Sequence, residues 1–421
     1  MEIIQRILNL GAAVVVPIII IIIGLVVGMK LIKAVRAGVT VGVGFTGLML
    51  ITGLISTYMN PIIEALQKNW HMSLDTYDMG WPVASGIAYS NGQFVSILFA
   101  TIILANVLML IFKWTNVLNV DIWNFWHFIE GGMWVYIVTG NLVLGAIAGT
   151  LYSIVIVFLG GKMAPKVAEF LGYPGVAITT QSFPLSYYIC VGINKVIDKI
   201  PGINKIRFSL NDLNPKYAWL GEPLFLGLIL GAALTFLAGL GWEQALTTAM
   251  GMAAVMYILP RMVKILMEGL SPLSNAAQKF MKKKFPGREM YVGMDLAVLL
   301  GDSEVITLAM IMIPLTLVFA MILPGNRILP FIDLTGITYW MVAPVMASIT
   351  KDGKRNSFRA LILGVITVVS MLYIASDVAP IMTEFAKGSG LVDTTSGPVS
   401  AFSAGAELFS YALTKISQIF F

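Results

Sequence analysis

The chemically richest run in this chain is Asn119-Val120-Asp121-Ile122-Trp123-Asn124-Phe125-Trp126-His127-Phe128. Asn124 and His127 are three positions apart, as are Trp123 and Trp126, so each pair can lie on neighbouring stripes of one helix. Flat aromatic walls carrying a few placed donors and acceptors are what recognition of a polyol needs. His127 is the strongest single candidate for ligand contact, against the plainer role of a buried, satisfied histidine. For Trp123 and Trp126, anchoring at a membrane interface fits as well as binding does. The second histidine, His71, lies in a polar loop and carries no assignment.

Two further segments are too broken for full helices and too apolar for ordinary loops. The first is Gly80-Trp81-Pro82-Val83-Ala84-Ser85-Gly86, continuing through Ser90 and Asn91. The second is Gly293-Met294-Asp295-Leu296-Ala297-Val298-Leu299-Leu300-Gly301-Asp302-Ser303-Glu304. As re-entrant hairpins they would carry Trp81, Ser85, Asp295, Asp302 and Glu304 into a sheltered interior, where freed backbone groups can meet a hydroxylated solute. As amphipathic surface loops they would not. An ionised carboxylate at mid-membrane costs about 2.5 to 3.5 kcal/mol unless paired or hydrated. Accepting hydrogen bonds from sugar hydroxyls would give the acids a reason to be there, as would coupling to protons; a helix cap is the alternative for Asp302. A third stretch, Pro174 to Ile189, holds Thr179, Thr180, Gln181, Ser182, Tyr187 and Tyr188 and is expected to be partly inserted, with Thr180 and Gln181 as candidate contacts. Glu222, ahead of Pro223, suits a helix N-terminus.

The elements that must position these residues follow from composition. Of 421 residues, 58% are hydrophobic and 12% charged, with a mean hydropathy of +0.86, whereas a soluble domain carries roughly 25% charged residues. The charges lie between apolar runs of about 20 residues, the length a helix needs to cross the hydrocarbon layer. The expected fold is all-α and polytopic, with eleven spans over about 11–29, 35–58, 94–112, 122–139, 142–160, 219–239, 244–267, 305–323, 335–349, 358–376 and 402–421. The net charge of +5 is scattered over short loops without a basic stripe interleaved with aromatics, which argues against nucleic acid. A single cysteine, Cys190, excludes an intrachain disulfide and reads as a buried packing thiol. The first apolar run follows Glu2 and Arg6 with no small-residue cleavage site, so its helix is expected to be retained. No P-loop, dinucleotide fingerprint, His-Glu-x-x-His or nucleophile elbow occurs. No catalytic, cofactor-binding or metal-ligating residues are therefore expected, and uphill transport would draw on an ion gradient or a partner protein.

Basic residues follow the odd-numbered spans: Lys30, Lys33 and Arg36, then Lys113, then Lys162 to Lys216, then Lys279 to Arg288, then Lys351 to Arg359. Loops after even spans are mainly acidic, with Glu64, Asp75, Asp78, Glu243, Asp377, Glu384 and Asp393. Because Lys and Arg stay on the cytoplasmic side, the N-terminus is expected outside and the C-terminus in the cytoplasm. Punctuation also recurs in order: Leu10-Gly11 with Leu220-Gly221, Asn60-Pro61 with Ser271-Pro272, Gly80 with Gly293, and Val120-Asp121 with Ile332-Asp333, at offsets of 210, 211, 213 and 212. Such a register argues for a duplication. Five spans per copy is an odd number, so the second copy would enter the membrane inverted, an arrangement that puts a solute site near the midplane.

Several stretches carry a family resemblance: Asn119 to Asn124 with Trp126-His127, Gly80-Trp81-Pro82, Lys199-Ile200-Pro201-Gly202-Ile203-Asn204-Lys205-Ile206-Arg207-Phe208-Ser209, Gly221-Glu222-Pro223, Gly293-Met294-Asp295 with Leu299-Leu300-Gly301, and Leu323-Pro324-Gly325-Asn326. Through them most of the chain resembles the galactitol-type permease subunit, enzyme IIC, of the bacterial phosphoenolpyruvate-dependent phosphotransferase system, in the galactitol/ascorbate superfamily. The resemblance implies an inner-membrane protein that binds an extracellular hexitol. It would present the solute to a cytoplasmic IIB subunit carrying phosphoryl on cysteine and charged by a IIA subunit, with no phospho-acceptor on this chain. It further implies a homodimer and an elevator-like movement of a core against a scaffold. The parts would be 1–79 (scaffold), 80–210 (core), 211–292 (scaffold), 293–376 (core) and 377–421 (C-terminal helix). Asp302 stands where galactitol-type relatives carry histidine, and Thr179-Thr180-Gln181 where they can carry Pro-His-Gly, so another pentitol, hexitol or hexose fits as well as galactitol. The competing reading is an ion-coupled secondary transporter in which Asp295, Asp302 or Glu304 titrates or binds sodium.

Overall fold

Long apolar runs in this chain close their backbone hydrogen bonds within themselves, as a segment surrounded by hydrocarbon must, and the computed structural model is accordingly built mainly of helices. It describes residues 12–70, 74–119, 121, 124–172, 175–208, 222–284, 290–300, 302–330, 333–334, 336–349, 353–387, 389, 392, 394–395 and 397–421. His71, Trp123, Lys216, Gly221, Arg288, Lys351 and Asp393, together with the first residues of the expected span 219–239, lie outside them.

The first half runs α1 (Ala12–Val26), α2 (Leu31–Trp70), β1 (Tyr77–Asp78), α3 (Gly80–Ser90), α4 (Gly92–Ile111), β2 (Val117–Asn119), α5 (Phe125–Thr139), α6 (Leu142–Leu171), β3 (Val176–Ile178) and α7 (Phe183–Ile197). The second runs α8 (Pro223–Leu237), α9 (Gly241–Lys284), β4 (Tyr291–Met294), α10 (Ser303–Ile322), α11 (Gly336–Ala347), α12 (Ser357–Asp377), α13 (Ala379–Ala386), β5 (Val399–Ser400) and α14 (Leu408–Phe420). Short 3₁₀ turns cover Ile203–Lys205 and Leu296–Leu299. Among the described residues, four helical stretches are long and apolar enough to cross a membrane: Gly92–Ile111, Leu142–Leu171, Glu304–Ile322 and Ser357–Asp377.

Local sequence explains the breaks. Asn91 separates α3 from α4 and caps the latter by accepting the Phe94 N–H, so the segment from Gly80 folds as a helix, a kink at one polar residue, and a second helix. Gly140 takes a left-handed conformation, with φ of 63°, and ends α5; Asn141 then caps α6 by accepting from Val143 and Leu144 N–H groups. Two helices run past their expected ends. With 40 and 44 residues, α2 and α9 reach about 60 and 66 Å at 1.5 Å per residue, more than a bilayer core requires. Pro61 and Pro272 sit inside them, and the polar residues beyond each proline continue the helix instead of leaving it.

The five strands among the described residues form two small parallel assemblies. In one, β2 and β3 flank β4, pairing Asn119 with Gly293 and Ile178 with Met294. In the other, β1 pairs with β5, Asp78 opposite Ser400, and Thr76 bridges Ile328. Parallel strands deliver all their following residues to one edge, and that edge is polar in both. Gly293 is required by closeness: a Cβ there would lie 2.8 Å from Thr179 Oγ1 and 2.9 Å from Asn119 Oδ1. Around both assemblies packs one buried apolar cluster that includes Phe94, Phe125, Phe128, Trp134 and Tyr152.

Candidate functional site

At the edge of the three-stranded assembly, β2 is followed by Asp121 and Asn124, β4 by Asp295, and β3 by Thr179 and Thr180. All five are buried. Asn124 Nδ2 lies 2.5 Å from Asp121 Oδ2, 2.6 Å from Asp295 Oδ2 and 3.4 Å from Thr180 Oγ1, so one amide ties together segments up to 171 residues apart. Thr180 Oγ1 accepts the Leu296 N–H at 2.9 Å, and Asp295 Oδ1 accepts the Ala297 N–H at 2.5 Å, capping the 3₁₀ turn. Behind them, Asn119 Oδ1 accepts from Thr179 Oγ1 at 3.0 Å, and Asn106 clamps β2 through bonds to Val117 O and Asn119 N–H. Asp121 Oδ1 and Asn119 Nδ2 have no hydrogen-bond partner among the described residues. One open acceptor and one open donor are thus buried at this edge, where an unpaired group costs about 1 to 3 kcal/mol.

His127 stands one helical turn after Asn124 on α5 and is 1% exposed. Its ring is close enough to Asp295 to interact electrostatically, and its Nδ1 lies 3.0 Å from Glu407 Oε1, a contact whose direction falls outside hydrogen-bond geometry. Glu407 Oε2 accepts from Ser182 N–H, Ser182 Oγ and the Tyr152 hydroxyl. Glu130, on the next position but two of α5, is fully buried with both oxygens unpartnered among the described residues, and it interacts electrostatically with Glu407 and Asp333. Tyr339 of α11 lies within electrostatic range of Asp295 and Asp121.

The second assembly has its own acidic edge. Asp78 accepts from the Gly80, Phe402 and Asp333 N–H groups at 3.2, 3.1 and 3.0 Å, and Asp333 Oδ2 accepts from Ser403 N–H at 2.7 Å and Ser403 Oγ at 2.5 Å. Asp121 follows β2, and Asp333, at the same offset of 212 as the other matched positions, follows the bridge residue Ile328.

Of the residues expected at a binding site, Asn124, Thr180 and Asp295 bond directly, and His127 adjoins them. Gln181 is buried in the turn before α7 in a left-handed conformation, with φ of 50°, an uncommon one for a residue with a side chain. Half-buried Trp81 and buried Ser85 lie on α3, which packs along α5. Asp302 and Glu304 are elsewhere: Asp302 caps α10 through the Glu304 and Val305 N–H groups and pairs with Arg355 at 2.7 Å, while Glu304 bonds Ser357 and lies 3.4 Å from Arg355. Buried Cys190 and the N-terminal position of Glu222 on α8 match their expected structural roles. Sequence reasoning passed over Glu130, Tyr152, Tyr339 and Glu407; for Glu130 and Glu407 the available signal was a carboxylate inside an apolar run.

A buried polar edge inside a bundle of membrane-length helices defines a membrane protein that shelters a hydrophilic solute. The comparisons give that class a family. The family model EIIC-GAT, described as the PTS system sugar-specific permease component, matches residues 6–394. The chain is similar to the "PTS system galactitol-specific EIIC component" of Escherichia coli (strain K12), with 34% identity over 415 residues, 99% of this chain and 90% of the relative. It is also 33% identical over 414 residues to a "Putative permease IIC component" of the same organism, covering 98% of this chain and 93% of that protein. The protein belongs to the EIIC-GAT family: it is a membrane-embedded sugar permease component of the phosphotransferase system, a system in which IIA and IIB proteins act beside it.

Proposed function

We propose that this permease binds a polyol from outside the cell, galactitol or a related pentitol, hexitol or hexose, at the edge formed by Asp121, Asn124, His127, Thr180 and Asp295. It then presents the solute on the cytoplasmic face for phosphorylation by IIB. In that step the P–S bond of the partner's phosphocysteine breaks, a P–O bond to a solute hydroxyl forms, and the hydroxyl proton leaves. The observation that carries the reading is Asn124, held between Asp121 and Asp295 with an open acceptor on Asp121 and an open donor on Asn119 beside it. Alternating donors and acceptors suit hydroxyls, which offer both at each carbon.

An elevator-type movement is supported by how the helices associate. α1, α2, α8 and α9 pack extensively on one another and sparsely on the rest, as a scaffold would. The site-bearing helices form the other group, and α13 and α14 pack on α5 within it, so the C-terminal helix travels with the core in this reading. The parallel contacts support inverted halves, since β4 pairs with β2, and Thr76, just ahead of β1, bridges Ile328 at the corresponding place of the other copy. Basic residues on odd loops support an outside N-terminus in a bacterial inner membrane, and a homodimer is what the resemblance described above implies. The ion-coupled alternative loses two of its candidate acids, because Asp302 and Glu304 are engaged by Arg355 and Ser357.

Thermal stabilisation of the detergent-purified protein by a panel of polyols, hexoses and ascorbate, at pH 6 and 8 with and without sodium, tests the reading. Only a ligand that prefers the folded state raises the midpoint. A sodium-independent shift by one polyol or hexose is the expected result, and a shift that requires sodium without polyol preference would overturn it.

A further inference from the structure

The segment that follows α7 is clamped from beneath. Arg359 of α12, itself buried, donates to Asn194 Oδ1 at 3.0 Å, to Asp198 Oδ1 at 2.5 Å and to the Asn204 carbonyl at 3.4 Å. Asn356 Nδ2 donates to the Ile206 carbonyl at 3.0 Å, and the Ser357 N–H to the Phe208 carbonyl at 2.8 Å. Asn194 Nδ2 reaches the Ala347 carbonyl at the end of α11. These bonds hold residues 194–208 against the starts and ends of core helices.

The outer side of the same segment is exposed and mixed. Lys195, Lys199, Lys205 and Arg207 are interleaved with Val196, Ile200, Ile206 and Phe208, and Lys354 is exposed on the adjoining turn. Asp198 is engaged by Arg359, so it does not offset the exposed lysines Lys195, Lys199 and Lys205. A helix lying on lipid would segregate its apolar residues to one face. Here Lys205 to Phe208 leave the 3₁₀ turn with Ile206 in an extended conformation, and basic and apolar side chains are both exposed along it. Apolar anchors within a charged rim, on a backbone held rigid from below, are the anatomy of a protein-docking surface for a partner of opposite charge.

We propose that this ridge, residues 195–208 with Lys354, docks the phosphoryl-carrying IIB protein. The proposal rests on the cytoplasmic assignment made above. The phosphoryl group adds negative charge to the partner, and Lys195, Lys199 and Lys205 meet it, with Ile200, Ile206 and Phe208 as the apolar anchors. The ridge is also joined to the solute site: α7 begins at the strand edge beside Ser182 and ends in the ridge about 22 Å away, at 1.5 Å per residue. Arg355 and Ser357 connect its clamp to Asp302 and Glu304, a few residues beyond Asp295.

The test uses the full-length chain in proteoliposomes with purified IIA and IIB. A triple variant, Lys195→Glu with Lys199→Glu and Lys205→Glu, is compared with wild type for binding of phosphorylated IIB, solute phosphorylation and solute-induced thermal shift. The proposal expects binding and phosphorylation to fall at least about tenfold, with wild-type binding weakening as salt rises and the solute-induced shift unchanged. Phe208→Ala should lose binding in the same direction without any change of charge. Wild-type affinity for phosphorylated IIB in both variants overturns the docking proposal, as does a defect confined to anionic vesicles, which would mark a lipid surface. Failure of the wild-type protein to respond to any polyol or hexose, or to support phosphorylation, would instead count against the function proposed above and remove the basis for the docking surface.

Discussion

Ser182 and Glu407 open α7 and α14 and cap each other's helices across the middle of the protein, 225 residues apart. Glu407 Oε2 accepts the Ser182 N–H at 3.1 Å and the Ser182 hydroxyl at 2.8 Å, and Ser182 Oγ accepts the Phe409 N–H at 3.3 Å. Two helix N-termini, each with the positive end of its dipole, meet at one carboxylate, which is the favourable sign of charge there. The Tyr152 hydroxyl donates to the same carboxylate, fixing its orientation toward His127.

Removing this junction should loosen the core before it touches the solute. Ser182→Ala deletes a donor to Glu407 and the acceptor of Phe409 N–H, a loss of about 1 to 2 kcal/mol by the usual worth of a cap. The thermal midpoint of the purified protein should fall, and Ser182→Thr should restore most of it. An unchanged midpoint for the alanine variant would show that the junction contributes nothing.

Asn124→Ala should remove solute binding far more than it removes stability. The variant leaves Asp121 and Asp295 without their shared donor, and an unpaired buried group costs about 1 to 3 kcal/mol, or roughly 10- to 100-fold in affinity. Calorimetric titration with the polyol or hexose identified by thermal shift reads the effect, and Asp295→Asn is expected to match it. Wild-type affinity in both variants would exclude this edge as the binding site.

Glu304 and Asp302 should behave in the opposite way. Arg355→Ala strands a fully buried Glu304 and a partly buried Asp302, and breaking such a pair costs up to about 3 to 5 kcal/mol; the 26% exposure of the Arg355 side chain puts the expected loss toward the lower end. Unfolding should shift by several degrees while solute affinity in the surviving folded protein stays within about twofold, a split that separates a structural network from a binding one. A loss of affinity larger than the loss of stability would return these acids to the solute site.

The contact between α5 and α6 depends on glycine. A Cβ on Gly149 would lie 2.5 Å from the Phe128 carbonyl, and one on Gly132 would lie 2.7 Å from the Gly145 carbonyl. Small residues four apart, Gly145 and Gly149, let two membrane helices approach in this way. Gly149→Leu should therefore displace Phe128, and with it the α5 residues Asn124 and His127, lowering both expression of folded protein and solute binding. Normal behaviour of that variant would mean the helices are further apart than described.

Outside the membrane, Arg327 donates to both carboxylate oxygens of Asp75 at 2.8 Å, joining the strand at Thr76 to that at Ile328. These hydrogen bonds hold the Asp75 carboxyl below its ordinary value. The sign follows: a lowered folded-state value stabilises the fold above the unfolded value of about 3.9, and that stability is lost as pH falls through the folded value. Both groups are exposed, so the pair is worth only about 0.2 to 1 kcal/mol and less at high salt. Arg327→Ala should lower the midpoint slightly at pH 7 in low salt and not at all near pH 2. An equal effect at both pH values would refute the pairing.

Much of this architecture is written in local chemistry. Apolar runs of bilayer length specify helices because each residue in hydrocarbon must bond within its own segment; Asn91, Asn141 and Gly140 stop or start them by capping and left-handed geometry. The offset of 212 that aligns Asp121 with Asp333 is likewise legible in the sequence, and both carboxylates are buried. The functional edge is legible only in outline. Asp295 and Asp302 lie seven positions apart in one apolar stretch and look alike, yet Asp295 meets Asn124 and caps the 3₁₀ turn while Asp302 meets Arg355 and caps α10. Glu407 bonds Ser182 through segments more than two hundred residues apart, and no periodicity records such a meeting. Linear patterns report burial and turns, which are properties of neighbours along the chain. Which buried carboxylate finds which donor is settled by packing: an unpaired polar group is costly enough to accept whichever partner the fold brings within about 3 Å.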